Sequence, residues 1–369
     1  MLLSFQGDNV SLFQRTYTMT LDSNYLNSIE VTPLMDTLRL QKISDADYFS
    51  NRFSGYISNS RLSLINPNQD NDPNAFFEGL SKHNKYSDAL IFGSAVHELV
   101  LQPELFELAL SVDRPTAKMG FMADELYKSY LDGSLCDDVV IKASDKIGYY
   151  KDKMNADRIN AVISTCTPYW ECRKRYEDST TKDITPIYLD AKSIERVQEC
   201  VRALKENSTI QKLLHPEGLL VDPISENEQA ILLDVRVKVP DYDEFTLRIK
   251  AKLDNYTIDS ETNTVTVNDV KTIGKIVSEF SGNFERFHYH RELALYSWLM
   301  TLVAKKFYNM DSCKVLSNCL VVSTIPKYYT KVVPLTKSMF LEGMQDFQKC
   351  MRLVAESVAT KYHDFAVWI

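Results

Sequence analysis

Two acidic residues and one lysine stand at spacings that could bring them to a single point. Asp254 lies in the run "FTLRIKAKLDNYTI" (245–258), and Asp269 and Lys271 lie in "TVTVNDVKT" (264–272). Both runs are rich in β-branched and aromatic residues, which predicts two strands. Asp269 and Lys271 are two residues apart, so they share one face of their strand.

The short link between the two runs sets how they pair. A four-residue turn at 260–263 places Asp259 opposite Thr264, and each later pair of residue numbers then also sums to 523. Asp254 falls opposite Asp269, where Cβ atoms of facing residues are about 4.5–5.5 Å apart and like charges repel. Lys271 lies one side-chain step along the same face and supplies one positive charge against two negative ones.

Apolar neighbours predict that this end of the hairpin is partly buried, since Leu253, Val267 and Val270 flank the acids. Two buried carboxylates need a further cation, and a divalent metal ion completes the set. A hard cation beside a lysine suits phosphodiester hydrolysis, because the metal polarises a phosphoryl oxygen and lowers the pKa of bound water. The alternative is a solvated hairpin face on which Lys271 bridges the acids.

The surrounding elements predict an α/β fold. The runs 229–239, 245–258 and 264–272 have hairpin spacing, and a long helix over 283–308 follows them. Strands at 318–324 and 328–333 and a final helix over 337–357 complete the order. We expect helices packed around one mixed sheet.

The first half of the chain is predicted to be mostly helical. A helix starts at Ser58 or Asn59, a second has Asp72 as its cap and Pro73 in its first position, and residues 111–185 form short helices. The run "SDALIFGSAVHELVLQP" (87–103) and residues 189–207 form two further helices.

These patterns suggest three parts of the chain. They are an irregular segment at 1–54, a helical region at 55–220 and a core at 221–369.

Composition restricts the class of protein. The chain has 369 residues, a net charge of −8 and seven cysteines without a CxxC pair, which favours reduced thiols and a cytoplasmic location. We find no signal peptide and no apolar run of the ~18 residues that a membrane span needs. The negative charge argues weakly against nucleic acid, although basic runs occur at 171–176 and 248–252.

The hairpin motif resembles a nuclease signature. Asp254, fourteen intervening residues and then "DVKT" (269–272) resemble the D…DxKT form of the PD-(D/E)xK nucleases. The later run "YHRELALY" (289–296) resembles a helix that carries Gln and Tyr four residues apart in RecB-type and RecE-type nucleases. Tyr296 matches that Tyr, whereas Glu292 stands where the family has Gln.

Two upstream runs extend the resemblance to about residues 55–335. "FGSAVHELVLQPELF" is similar to a helix of the same nucleases, with His97 at the position of a metal-binding His. "SNSRLSLI" resembles the opening helix of the exodeoxyribonuclease VIII (RecE-type) exonuclease domain.

The resemblance implies roles for individual residues. Asp254, Asp269, the backbone carbonyl of Val270 and His97 would bind Mg²⁺, with Mn²⁺ tolerated. Lys271 would orient or activate the attacking water, and Glu292 and Tyr296 would complete the catalytic group. Glu228 would match an acid that precedes the first core strand of these enzymes.

Structural alternatives stay open for four of these residues. His97 could be a core histidine, Tyr296 simple packing and Glu228 a surface acid at a strand end. Glu292 could face solvent and pair with Arg286 or Arg291.

The resemblance also implies a fold and an activity. The fold would be a restriction-endonuclease-like core, with a mixed central sheet flanked by helices and an N-terminal helical region. The activity would be 5′-to-3′ exonuclease resection of double-stranded DNA ends by a phage or prophage enzyme.

It further implies partners, which are a single-strand annealing protein and further copies of the chain in a trimeric or tetrameric ring. Two alternatives are a catalytically weak DNA-binding module with the same fold and a structure-specific endonuclease.

Overall fold

A computed structural model describes residues 19–20, 30–65, 76–79, 87–110, 114–149, 151–181, 184–218 and 220–360. The chain divides into two compact units, one of residues 1–83, 206–322 and 329–369, the other of residues 84–205 and 323–328. In the described ranges, no helix is both long and apolar enough to cross a membrane. The predicted helix start at Asp72 and Pro73 lies outside the described residues.

The first unit is built on an eight-stranded sheet with the strand order β1-β2-β6-β7-β8-β9-β10, and β3 pairs with β6 beside β2. Its strands are β1 (Met19–Thr20), β2 (Glu30–Pro33), β3 (Arg39–Lys42), β6 (Ile224–Lys238), β7 (Phe245–Asp259), β8 (Thr264–Ile273), β9 (Lys314–Ser323) and β10 (Thr330–Pro334). Its helices are α1 (Asp45–Tyr48), α2 (Asn59–Leu62), α8 (Ser208–Leu214), α9 (Phe280–Arg286), α10 (Tyr289–Tyr308) and α11 (Lys337–Thr360).

The antiparallel hairpin of β7 and β8 has the predicted register. Asp259 pairs with Thr264 and Asn255 pairs with Asn268, so each pair sums to 523 as expected. The register is confirmed for residues 255–259, and a short turn fixes such a register locally. The predicted facing pair of Asp254 and Asp269 lies one residue beyond these pairs.

Helices cover the sheet and enclose its core. β8 and β9 are neighbours in the sheet and are joined through α9 and α10, the type of crossover that parallel strands require. Trp298 and Leu299 of α10 and Phe347 of α11 are almost fully buried in the core that includes the sheet residues. The predicted mixed sheet flanked by helices is confirmed.

The predicted single helix over 283–308 is wrong at one point. Phe287 and His288 separate α9 from α10, and His288 has a φ of +54°. The apolar periodicity continues across this break, so the sequence pattern does not reveal it.

The second unit contains the helix that carries His97. Its helices are α3 (Asp88–Leu101), α4 (Ala117–Leu131), α5 (Asp137–Ile147), α6 (Asn155–Ser179) and α7 (Ala191–Glu206), and β4 (Phe106–Leu110) pairs in parallel with β5 (Thr185–Leu189). The predicted start of α3 is confirmed, since the Ser87 side chain accepts a hydrogen bond from Leu90 N–H. Tyr169 and Trp170 are fully buried in a separate core.

Two regional predictions need correction. Residues 30–54, predicted to be irregular, include β2 and β3, which are only four residues each and too short to show a clear alternation. Residues 111–185 contain α6, a helix of 25 residues rather than a short one, in which Pro168 and a charged run obscure the periodicity. The first unit contains the described residues 55–65 and 76–79 together with the sheet, and the three-part division of the chain stays a prediction.

Candidate active site

The hairpin places Asp254 on β7 and Asp269 and Lys271 on β8. The Val270 N–H donates a hydrogen bond to Asp254 Oδ2 at 2.6 Å, which ties the Asp254 carboxylate to the neighbouring strand. Asp269 is buried, with a side chain only 2% exposed. The solvated-face alternative is therefore wrong for Asp269.

Lys271 joins the hairpin to the start of α10. Its Nζ lies 2.8 Å from Asp269 Oδ2 and 3.3 Å from Glu292 Oε2. The Tyr296 hydroxyl donates to Glu292 Oε1 at 3.2 Å, one helical turn along the same face. Asp269, Lys271, Glu292 and Tyr296 thus form one connected group.

Glu292 does not face solvent as the structural alternative proposed. Its side chain is 16% exposed and pairs with Lys271. Arg291 is fully buried and contacts Asn59 and Asp346 instead.

The electrostatics of this group reflect more acids than bases. Burial raises the pKa of Asp269 well above its usual range, and the Asp254 and Glu292 carboxylates add to the shift against the effect of Lys271. Burial opposes the charge on Lys271, but Asp269, Glu292 and Asp254 outweigh burial and raise its pKa. Lys271 is therefore an ammonium at neutral pH.

Glu228 lies directly across from Asp254 on β6. Asn227 pairs with Asn255 and Gln229 with Leu253, which leaves Glu228 facing Asp254 at a point where its φ is +57°. A carboxylate oxygen of Glu228 lies within 4.8 Å of one of Asp254.

The surface alternative for Glu228 is wrong, because the residue is only 4% exposed. Its position is also corrected: β6 starts at Ile224, so Glu228 lies inside the strand and not before it. The polar run "SENEQ" at 225–229 hides this strand start from a pattern based on apolar residues. Lys252 Nζ lies 2.6 Å from Glu228 Oε2 and partly balances its charge.

This donor set fits a divalent cation. Glu228 and Asp254 bring hard carboxylate oxygens within 4.8 Å of each other. Asp269 and Glu292 add two more carboxylates that are linked through Lys271, and Lys252 pairs with Glu228. Hard oxygen donors are the ligands that Mg²⁺ and Mn²⁺ prefer. The excess of negative charge in a buried position is the condition that a bound cation relieves.

The structure locates two further residues that were predicted to bind the metal. Val270 is buried on β8, and the role of its carbonyl oxygen stays a prediction. His97 lies partly buried on α3 of the second unit, and its role as a metal ligand also stays a prediction.

A row of four asparagines, three of them buried, lies on the opposite face of the same strands. Asn318 Nδ2 donates to Asn268 at 3.0 Å, Asn268 Nδ2 donates to Asn255 at 2.8 Å, and Asn255 Nδ2 donates to Asn227 at 2.8 Å. The asparagine row connects the four successive strands β6, β7, β8 and β9. Because side chains alternate between faces, the asparagines of β6, β7 and β8 lie one residue away from the carboxylates. Sequence reasoning missed it, although Asn255 and Asn268 directly follow and precede the two aspartates.

Lys250 lies on the same face of β7 as Asp254, two side-chain steps away. Its Nζ donates to the Tyr48 carbonyl at 2.7 Å and lies 4.2 Å from the centre of the Tyr48 ring. Burial, together with the nearby charge of Arg61, lowers the pKa of Lys250 to about 7.

Comparisons with known proteins found no family, and the structural similarity that they found is distant. No family model matches the chain, and no curated protein matches it. A crystal structure of a candidate exonuclease from Eubacterium rectale is similar with a TM-score of 0.43 and 13% identity, over 86% of this chain and 88% of that one. A similarity at this level carries no conclusion about activity.

Proposed function

We propose that the protein is a metal-dependent deoxyribonuclease that hydrolyses phosphodiester bonds in linear duplex DNA. One observation carries the proposal: Asp254 and Asp269 occupy neighbouring strands of one hairpin, and Lys271 links Asp269 to Glu292. Paired carboxylates with an adjacent ammonium suit the stabilisation of charge that develops on a phosphate.

The residues would act in distinct ways around a bound cation. Asp254, Asp269 and the Val270 carbonyl would hold Mg²⁺ or Mn²⁺, with Glu228 added by its position across from Asp254. The cation would supply polarisation of the phosphoryl oxygen and a lower pKa for bound water.

Lys271 would act as a cation and hydrogen-bond donor. Since the neighbouring acids raise its pKa, it holds its proton at neutral pH and does not serve as the general base. Its Nζ would orient the attacking water and stabilise negative charge on the phosphate. Tyr296 orients Glu292, and Glu292 in turn holds Lys271.

The finer assignment is a RecE-type exonuclease. The ordered motifs around His97, Asp254, "DVKT" and Tyr296 support it by resemblance. It includes 5′-to-3′ resection that leaves a 3′ overhang, a single-strand annealing protein as partner, a trimeric or tetrameric ring, and a phage or prophage origin.

A panel of DNA substrates tests the proposal. Linear duplex labelled at the 5′ or the 3′ end and closed circular duplex are incubated with Mg²⁺, Mn²⁺ or EDTA. We expect metal-dependent loss of the linear duplex, early release of the 5′ label and no cutting of the circle. Cutting of the circle would indicate an endonuclease, and binding of DNA without cleavage in either metal would indicate a DNA-binding module.

A further inference from the structure

Two histidines and one aspartate come together outside the carboxylate group. His288, His290 and Asp346 each offer one ligand atom, and these atoms all lie within 4.8 Å of one another. All three side chains are partly buried. His288 precedes α10, His290 lies in its first turn, and Asp346 lies on α11.

The local backbone conformation brings these three side chains close together. His288 has a φ of +54°, a left-handed conformation that is uncommon for residues other than glycine and persists where its surroundings enforce it. The two imidazole rings lie 5.6 Å apart between centroids. On α11, a Cβ added at Gly343 would lie 2.2 Å from the His290 carbonyl oxygen, so only glycine permits this approach one turn before Asp346.

Arg291 holds the aspartate through the same oxygen atom that faces His288. Its Nη1 donates to Asp346 Oδ2 at 3.1 Å, while Nε donates to Asn59 Oδ1 at 2.8 Å and Nη2 to Ser63 Oγ at 2.6 Å. The guanidinium is fully buried, and Asp346 balances its charge. A hydrogen bond to a ligating carboxylate fixes the orientation of its oxygens.

We propose that His288, His290 and Asp346 form a second metal site, selective for a Zn²⁺-class transition ion. Two imidazole nitrogens and one carboxylate oxygen favour such ions over Mg²⁺. His288 Nδ1 lies 3.1 Å from Asp346 Oδ2, a distance at which a protonated His288 would form an ion pair with this carboxylate and a neutral His288 can share a metal ion with it. Two ligands of a tetrahedral Zn²⁺ ion with bonds of about 2.0–2.1 Å are about 3.3 Å apart. Three protein ligands leave the fourth position for water.

A metal ion at the second site would hold the first turn of α10, which lies beside Lys271. Tyr289 stands between the two histidines, and its ring centre lies 5.0 Å from Lys271 Nζ. The same ring stacks on Phe280 at 5.6 Å. An ion at His288 and His290 would therefore hold Tyr289, and Glu292 three residues later, in their positions beside the hairpin.

Metal binding is measured on the full chain carrying Asp254→Asn and Asp269→Asn, so that the carboxylate group competes less for the ion. The protein is first treated with a chelator to remove bound metal. Binding of added Zn²⁺ is then measured by calorimetry, and binding of added Co²⁺ by visible absorption. We expect one ion per chain and the intense absorption of four-coordinate Co²⁺. Because the readout is binding, the result is independent of whether the protein cleaves DNA.

Substitutions locate the site. His288→Asn removes the imidazole but tolerates the left-handed backbone, and His290→Gln removes the second imidazole from a helix that accepts Gln. Each should weaken Zn²⁺ binding about tenfold or more, with circular dichroism unchanged. His215→Gln, at an exposed histidine of the same unit, is the matched control and should keep full affinity.

Two results would overturn the proposal. One is the absence of a saturable Zn²⁺ or Co²⁺ site in the background protein. The other is unchanged affinity in both His288→Asn and His290→Gln. If one variant fails to fold, the other variant and the Co²⁺ spectrum of the background protein still decide the question.

Discussion

Individual side chains at the hairpin divide into those that would hold a cation and one that would act on the substrate. Asp254 and Asp269 would supply carboxylate ligands to the cation, and Lys271 lies between Asp269 and Glu292 as an ammonium. This separation of roles makes each residue testable by itself.

Lys271→Ala should lower the single-turnover cleavage rate about 10²-fold or more, because it removes a preorganised charge at the phosphate. Mn²⁺ affinity measured by calorimetry should stay the same or rise, since a positive charge beside the cation is removed. Lys275→Ala, at a lysine with a side chain 61% exposed, is the control. Lost Mn²⁺ affinity with an intact rate would contradict the role assigned to Lys271.

Glu292→Gln should raise the Mg²⁺ concentration for half-maximal rate about threefold to tenfold, because one negative charge leaves the site. The amide oxygen can still accept the Tyr296 hydrogen bond, so the fold should be retained. The measurement is cleavage rate against Mg²⁺ concentration at several pH values, with Glu279→Gln as an exposed control. An unchanged Mg²⁺ dependence together with an unchanged pH profile would remove Glu292 from the site.

Lys250 gives the folded protein a specific pH dependence of stability. Its pKa falls from 10.5 to about 7 on folding, so between these values the unfolded chain binds a proton that the folded protein does not. The free energy of unfolding should therefore rise with pH across this window, by up to ~1.4 kcal/mol per pH unit from this group.

Lys250→Met should remove that contribution, which urea unfolding at pH 7 to 10 would measure. Lys238→Met, at an exposed lysine of the same sheet, is the control. The same slope in wild type and Lys250→Met would show that Lys250 does not titrate in this window.

The positions of the helices and strands determine the distances between these side chains. α10 must present Glu292 and Tyr296 to the hairpin, and its position depends on contact with α11. The hairpin itself is held by its turn and by the asparagine row of Asn255, Asn268 and Asn318.

Alanine substitutions at two glycines should change the free energy of unfolding in opposite directions, and they test how these helices pack. Gly343→Ala should lower the free energy of unfolding by about 1–3 kcal/mol, because its Cβ would meet the His290 carbonyl. Gly282→Ala on α9 has open space and should raise stability by up to about 1 kcal/mol, since alanine favours a helix. Chemical denaturation of both variants provides the measurement, and equal effects of the two substitutions would contradict the close contact at Gly343.

Sequence reasoning succeeds where interactions are local. The register of Asp259 with Thr264 follows from a short turn, and the start of α3 at Ser87 follows from its cap. It fails where distant residues decide the structure. The break at His288 lies beside the close contact of His290 with Gly343 of α11, which is far away in the sequence. Glu228 is buried where β6 pairs with β7.

At the scale of the whole molecule, the charge of −8 and the proposed binding of DNA must be reconciled. Binding of a phosphate backbone requires local positive charge or bound cations rather than a positive total. A cation at the hairpin would both bridge to a phosphate and relieve the excess of carboxylates. Metal dependence is therefore the property that connects the site to the behaviour of the intact protein.

The most direct measurement is digestion of end-labelled linear duplex DNA by wild type, Asp254→Asn and Asp269→Asn, with Mg²⁺ and with EDTA. Asp259→Asn, at the far end of the same hairpin, is the matched control. We predict cleavage by wild type and by the control only with Mg²⁺, and loss of cleavage in Asp254→Asn and Asp269→Asn although both remain folded. Metal-dependent cleavage at the wild-type rate in either of these two variants would contradict the proposed site.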